Sequence, residues 1–600
     1  MEQKKLRGYP SEDRPWLQYY RETESRLNIT DSEKYVNSGN FQTMYQSILD
    51  ANKDRMDYIA LEYFGTKISY KKLFGKINHV AGALIEFGIK QGDYVSICLP
   101  NIPESVYFTY ALNRIGAVAC LIDPRTNAEG IKERINDANS KLFITVVDIL
   151  DAKINAIAEK IVSKNIVVVS PSDSVKIVST KAAFVRWAYC LKRKNFDSKK
   201  YIAYREFIKY SKPLTDNPYI QMEANMPAVV VYTSGTTGTP KGVVLTNENA
   251  IATGKICEIG AYPVSGNGVF LGAIPFFVAY GALTGVYNSL YHGLNIVCIP
   301  KFNPKDFGRL IIKHKSNSAL GVPRFWSEFA DDNVSCDLSF LINAICGGDK
   351  ISPYAVEKIN NYLAANGGNR LKAGYGASEF GGGIVINSDK ELLKTDSAGR
   401  ILPGAIGMVI DPETNEELPY DQDGELCFHS PTMMLEYLNC EEETKQITLY
   451  KNGIKYYRTG DKGHIASDGT VYIVDRYKQV MLRPDGHTVH ATAIENVIIQ
   501  HEAVLKCAVA GIAIDDKEGV IPTAFIMLKD TYEKSNTIEE IERMCSQKIA
   551  ERDKALAYVV VDELPYTPMG KVDYKKLEEN SFSNLDCIVM DYTFFESEKK

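Results

Sequence analysis

What most limits the fold of this 600-residue chain is an alternation that begins at about Tyr58. Apolar, β-branched runs such as YVSICLP, AVACLI, KLFITVV and NIVVVS take turns with amphipathic segments such as 70–87, each bounded by Gly, Asn or Pro. Strands joined through helical crossovers run parallel, so the pattern predicts a doubly wound α/β body. It continues through PAVVVYTSG and LNIVCIP to AICGGD. No self-similar period of about 20–50 residues appears, which argues against a solenoid or propeller.

After about Pro403 the long helical patterns give way to short strands with closely spaced turns (DGELCFHSP, YYRTGDKGHIASDGTVYIVDR). A small β-rich lobe over about 403–477 is expected, closing a large N-terminal domain of 1–477. Short strands (LKCAVAGIAI, TAFIMLK) and a helix near 537–552 then predict an α+β cap over 478–600. The tail beyond about 577 carries no chemistry that its residues reveal.

Lys and Arg number 69 against 75 Asp and Glu, a net charge of -6, so no global positive field recruits nucleic acid. The 12 cysteines are scattered singly, with no Cys-x-x-Cys pair and no His at zinc spacing, a pattern of reduced thiols. The first residues, MEQKKLRGYPSEDRPWLQYY, lack the apolar run of about 7–15 residues that secretory cleavage requires. A cytoplasmic location is therefore expected.

Two segments bear on membranes. Residues 259–300 contain no Asp, Glu, Lys or Arg, yet Pro263, Gly266, Gly268, Gly272, Pro275, Gly281, Gly285 and Gly293 interrupt them. An unbroken apolar helix of about 20 residues cannot survive that punctuation. A buried strand at 269–274, a turn at Pro275, a Tyr/Leu-rich helix and a strand at 295–300 are expected instead. Within an insertion at about 172–215, residues 181–200 hold Lys181, Arg186, Lys192, Arg193, Lys194, Lys199 and Lys200 against Asp197. Phe184, Trp187, Ala188 and Leu191 recur there at helical spacing. The commoner arrangement packs such a stripe on its own domain; the other rests Lys181–Lys200 peripherally on an anionic bilayer.

The strongest chemical signal is VVVYTSGTTGTPKGVVLTN, residues 229–247, where an apolar strand runs into hydroxyls, glycines and a lysine. Glycine lets backbone amides approach an anion closely, and Ser/Thr hydroxyls and Lys241 add donors and charge, so the loop suits a polyphosphate. It is not the phosphotransferase P-loop, because Pro240 precedes the lysine and Gly242 follows it. AICGGDK and AGYGASEF place further glycines at strand ends, where open α/β sheets form their ligand crevice. Tyr375 can offer a ring face to a base, and Glu379 a hard oxygen ligand suited to Mg²⁺. In YRTGDKG, the Asp461 carboxylate can accept both hydroxyls of a ribose, although such an Asp is more often a turn former.

Taken in order, YTSGTTGTPKG, GYGASE, YRTGD, DRYK and PYTPMGK, spread from Tyr232 to Lys571, resemble the adenylate-forming (AMP-binding) superfamily. That superfamily includes acyl-CoA synthetases, peptide-synthetase adenylation domains and beetle luciferases. KQGDYVSICLPNIPE and NRIGAVACLIDPR are similar to its opening strands. The resemblance implies that Thr233, Ser234, Gly235, Thr236, Thr237, Gly238 and Lys241 hold ATP phosphates, and that Gly347, Gly348, Asp349 and Tyr375 surround adenine. It further implies Ser378 at the α-phosphate, Glu379 on Mg²⁺, and Asp461 and Arg476 on ribose. Lys478 would be the hinge, Lys571 the lysine that catalyses adenylation, and Gly486 part of a loop beside the thiol channel.

The implied activity adenylates a small-molecule carboxylic acid with ATP and passes the acyl group to CoA. Where the family often has an aromatic residue followed by His, this chain has Phe277 and Val278, so the acyl pocket lacks an imidazole. Amino-acid-activating relatives use an Asp near that place, and burying a substrate ammonium against Val278 would leave it unpaired. An apolar fatty or aryl acid is expected. Asp475 before Arg476, the longer RPDGH loop and Ala493 depart from the family pattern and bear on the thiol half-reaction. Two alternatives stay open: loading the acyl group onto an acyl carrier protein's phosphopantetheine, and a non-enzymatic nucleotide-binding regulator, which retention of Glu379, Asp461 and Lys571 disfavours.

Overall fold

The alternating apolar runs pair as two sheets, each parallel through its middle. A computed structural model describes residues 8–590 apart from 38–40, 193–196, 198, 210, 217–219, 234–239, 261–263, 265, 333, 388–396, 477–479, 484–487, 514–518, 530, 550–552, 568–570 and 581–586. In the first sheet, Pro227–Tyr232, Val118–Leu121, Tyr94–Cys98, Leu142–Val146, Ile166–Val169 and Ile202–Ala203 lie side by side and parallel. Gly242–Thr246 and Glu436–Tyr437 extend it antiparallel at the opposite edge. Every residue of Val118–Leu121 and Ile166–Val169 is buried, which explains why these runs are continuously apolar rather than alternating.

The second sheet has a parallel middle of Ile59–Tyr63, Asn295–Cys298, Val269–Gly272, Ser318–Gly321, Asn343–Cys346 and Leu371–Ala377. The β-rich region continues this sheet, because Thr470–Arg476 pairs with Ser397–Ile401 and carries Ile454–Ile465, Gly424–His429 and Ile406–Ile410 beyond it. Helix Tyr70–Glu86, capped by Ser69, buries Leu73, Phe74, Ile77, Val80 and Leu84 and packs on helix Pro103–Arg114.

The charge-free stretch forms the expected elements with shorter strands. Val269–Gly272 stops before Ile274 because the Asn101 side chain donates to the carbonyls of Gly272 (3.0 Å) and Ile274 (2.9 Å), and so takes acceptors that a neighbouring strand would use. A turn follows, then a wide-pitched helix Tyr280–Tyr287 that continues as Asn288–Tyr291, then Asn295–Cys298. Among the described residues no helix is long and apolar enough to cross a membrane.

The basic segment forms helix Thr180–Lys192, but turned the other way from the commoner expectation. Ala182 and Val185 pack inward while Phe184 and Trp187 face solvent. The Tyr189–Asp148 hydrogen bond (2.7 Å) and donation from Arg186 Nη1 to the Val175 carbonyl (3.5 Å) fasten the helix in this orientation. Arg193 and Lys194 lie outside the described residues.

Toward the C terminus, Val504–Ala513 and Val520–Leu528 form an antiparallel pair, with Ala557–Val560 parallel to the second. Helices Ala491–Ile498 and Lys534–Lys548 cover it around a separate core of Val489, Ile494, Val509, Ile526, Ile538, Ile541 and Tyr558. The segment read as a featureless tail supplies an edge strand, Cys587–Met590, against Ala557–Val560.

Candidate active site

The hydroxyl and glycine loop closes a hairpin between Pro227–Tyr232 and Gly242–Thr246. Its base is pinched by Thr233 N–H donating to the Lys241 carbonyl at 3.0 Å. Ser234, Gly235, Thr236, Thr237 and Gly238 lie outside the described residues; Thr233, Pro240 and Lys241 line a chamber of about 900 Å³. A strand follows the lysine, not a helix, which distinguishes the loop structurally from a P-loop.

Three strand ends meet at this chamber. Gly347 and Gly348 follow Asn343–Cys346, and a Cβ at Gly347 would come within 3.3 Å of the Gly374 carbonyl. Tyr375 and Ser378 enter from the next strand and the tight turn Ser378–Phe380. Asp461 reaches the same wall from Ile454–Ile465, only 4% exposed, and accepts a hydrogen bond from the Tyr375 hydroxyl at 2.5 Å. Its backbone is set by Thr459, whose hydroxyl accepts from Asp461 N–H at 3.0 Å, and by Glu425, which accepts from Gly460 N–H (3.1 Å) and Arg458 Nε (2.7 Å). Gly460 has φ 72°, the left-handed region that glycine enters without strain.

Glu379 accepts a hydrogen bond from the Tyr437 hydroxyl at 2.7 Å. Burial, and then the Glu379 carboxylate, push the Tyr437 phenol well above its ordinary range, so it stays a donor. Lys241 Nζ lies 5.0 Å from the centre of the Tyr437 ring, so this tyrosine touches both the loop lysine and the acid. Among the described residues no three His, Cys, Asp or Glu side chains gather as a metal cluster. A lone carboxylate still fits Mg²⁺, which commonly takes one or two protein oxygens and completes its shell with phosphates and water.

The cap contributes Thr567 and Lys571 to the same chamber. Thr567 N–H donates to the Lys571 carbonyl at 2.8 Å, and Tyr566 bridges Val572, so the segment ending in Lys571 is held as a tight hairpin. Tyr566 packs its ring under the Arg324 guanidinium of the large body at 4.2 Å.

Of the other expected residues, Asp349 is exposed and outside the chamber lining, and its carboxylate accepts from Lys350 N–H at 2.9 Å. Arg476 is the direct cross-strand partner of Asp461, with only its backbone described. Lys478 and Gly486 lie outside the described residues.

The chamber is also walled by the apolar side chains of Leu121, Ile256, Cys257, Ile274, Phe277, Val278, Val322 and Ile345. Burial pushes the Cys257 thiol up to about 12, so it is an inert wall group. Two residues missed by the sequence argument also line it. The Tyr280 and Thr284 hydroxyl oxygens are buried and have no hydrogen-bond partner among the described residues. They stand four apart on one helix, a spacing visible in the Tyr/Leu-rich segment, but nothing in the sequence said that the face would turn to a cavity. Tyr437 was missed for another reason: it meets Glu379 only because Glu436–Tyr437 pairs with Gly242–Thr246.

The AMP-binding enzyme family matches residues 49–438, and the AMP-binding enzyme C-terminal domain matches residues 493–571. This chain belongs to the AMP-binding enzyme family. Among AMP-binding relatives, it is 29% identical to the long-chain-fatty-acid–CoA ligase of Bacillus subtilis over 90% of this chain and 95% of the relative. It is 27% identical to 4-coumarate–CoA ligase 1 of Petroselinum crispum over 86% of this chain and 89% of that one. Its adenylate-forming fold resembles the crystal structure of the anthranilate CoA ligase AuaEII in complex with anthranoyl-AMP, with TM-score 0.76, 21% identity and coverage of 90% and 98%. These three relatives are acyl- and aryl-CoA ligases.

Proposed function

We propose that this protein adenylates a fatty or aryl carboxylic acid with ATP, releases pyrophosphate and transfers the acyl group to CoA. A carboxylate is a poor acyl donor because its oxygen leaves badly. Attack of that oxygen on the α-phosphorus of ATP forms a P–O bond, breaks the bond to the β-phosphate and gives a mixed anhydride. The CoA thiolate then attacks the carbonyl carbon and AMP departs.

Both reactants of the first step are anions, so the residues around them must offset repulsion. Lys241 and the loop donors would take the phosphates, Asp461 and Tyr375 the ribose and base, and Lys571 the charge that grows as pyrophosphate leaves. Glu379 would hold Mg²⁺, which neutralises phosphate charge when bound. The observation that carries this reading is that Lys571 from the cap, Lys241, Glu379 and Asp461 all line one chamber whose wall is partly apolar.

The apolar part of the chamber wall favours an apolar acid body and, among the described residues, holds no carboxylate that would pair with an ammonium.

The test supplies pure protein with ATP, Mg²⁺, CoA and a panel of fatty and aryl acids. Acid-dependent pyrophosphate and acyl-CoA are expected. Acyl-adenylate without acyl-CoA would select carrier-protein loading, and ADP with orthophosphate would reject adenylation altogether.

A further inference from the structure

Exposed apolar side chains scattered singly are ordinary on a protein surface, but contiguous ones call for an occupant. Ile177, Val178, Phe184 and Trp187 are 67%, 55%, 64% and 59% exposed. The Phe184 and Trp187 rings lie 5.8 Å apart on helix Thr180–Lys192, and Ile177 and Val178 sit in the bend that leads into it.

Their exposure follows from how the helix is fastened. Ala182 is fully buried, Val185 packs on the main core, and the Tyr189 hydroxyl donates to Asp148 at 2.7 Å. With that face committed inward, Phe184 and Trp187 must project outward.

Residues 174–192 contain Lys176, Lys181, Arg186 and Lys192 and no Asp or Glu, and the sequence continues with Arg193, Lys194, Lys199 and Lys200. Lys176, Lys181, Arg186 and Lys199 are exposed. Outward aromatic residues beside a run of cations interrupted only by the exposed Asp197 complement a surface that is apolar within and anionic at its face. A second copy of this chain would bring the same cations face to face in a two-fold contact and be repelled.

We propose that this patch docks the protein peripherally on an anionic lipid bilayer, with Phe184, Trp187, Ile177 and Val178 entering the interfacial layer and Lys176, Lys181, Arg186 and Lys199 meeting acidic headgroups. The helix joins Ile166–Val169 to Ile202–Ala203, the edge pair of the first sheet. Ile166–Val169 is four strand positions from Pro227–Tyr232, so docking leaves the hairpin loop clear by roughly 20 Å at about 4.8 Å per strand.

Trp187 is a built-in reporter, because Trp16 and Trp326, the other two of the 3 tryptophans, are fully buried. Vesicles of phosphatidylcholine with phosphatidylserine should blue-shift its emission and carry the protein upward in flotation, and raising salt from about 0.05 M to 0.5 M should weaken both. Ile177→Ser/Phe184→Ser keeps the reporter and should lower partitioning about tenfold or more. Lys181→Glu/Arg186→Glu should do the same without touching the apolar patch. Pyrophosphate exchange with a water-soluble acid should be unchanged in both variants, which shows that they fold.

Equal binding to neutral phosphatidylcholine vesicles would overturn the anionic assignment. A blue shift that grows with protein concentration in the absence of lipid, together with dimers in sedimentation, would give the patch to a second copy. Failure to float with any vesicle would overturn the proposal outright, whatever the outcome for acid activation.

Discussion

Tyr375 and Asp461, 86 positions apart in sequence, are joined by a 2.5 Å hydrogen bond at the chamber wall. Three strands of the sheet separate theirs, so only a strongly curled sheet brings the two side chains together. The tyrosine occupies one carboxylate oxygen and fixes the direction of the other, the arrangement that a ribose-binding carboxylate needs. A hydrogen bond to a charged group contributes about 1.5–3 kcal/mol, so Tyr375→Phe should raise KM for ATP about tenfold or more and change kcat less. Pyrophosphate exchange measured against ATP concentration checks this; an unchanged KM would mean that Asp461 does not depend on Tyr375 for its orientation.

Lys571 reaches the chamber from a separately cored cap, so its removal should leave the large body's nucleotide contacts intact. Lys571→Ala should slow adenylation by about 10²-fold, equivalent to about 2.7 kcal/mol, while ATP binding followed by calorimetry changes little. A matching loss of ATP affinity would make Lys571 a binding residue instead.

The cap is held to the large body in part by Arg324, whose guanidinium stacks 4.2 Å from the Tyr566 ring, with Lys506 Nζ at 5.3 Å from the same ring. If the cap must swing between half-reactions, this contact favours the orientation in which Lys571 faces the chamber. Cation–π pairs contribute about 0.5–2 kcal/mol, so Tyr566→Ala should slow adenylation about 2- to 30-fold. Transfer from preformed acyl-adenylate to CoA, followed in a single turnover, should be as fast as in the unaltered protein or faster. Equal slowing of both steps would remove the contact from any role in choosing the cap's position.

The buried parallel strands were legible because continuous β-branched runs between Gly and Pro have no other stable placement. Asp461 and Glu379 could be picked out for the same reason: each sits in a short motif whose turn and strand are local. The exposed direction of Asp349 could not be read from its motif, because a glycine turn fixes where the backbone goes and not whether the next side chain faces inward. The stripe of Phe184 and Trp187 has the spacing of a packed face, yet the neighbouring Ala182, Val185 and Tyr189 repeat at similar intervals and took the core. Helical periodicity alone cannot rank two such faces. Tyr437, Tyr280 and Thr284 were invisible for a deeper reason, since their places at the chamber arise from strand pairing and cavity shape between distant segments.

Glu104 gives a pH signature that is independent of catalysis. It is fully buried in the first turn of helix Pro103–Arg114; one carboxylate oxygen accepts from the Ser174 hydroxyl at 2.6 Å, and the other has no partner among the described residues. Burial pushes its pKa up to about 8, against the smaller opposing effect of the Ser174 hydrogen bond. The folded protein therefore keeps a proton that the unfolded chain, titrating near 4.5, has already lost. Stability from this group is complete below about pH 4.5 and is lost as pH rises through about 8, at up to about 1.4 kcal/mol per unit between them. Glu104→Gln, which keeps the shape and cannot ionise, should remove that slope. Thermal melts from pH 5 to 8.5 should find the variant gaining on the unaltered protein as pH rises, while parallel curves would mean that Glu104 is ionised in the fold throughout.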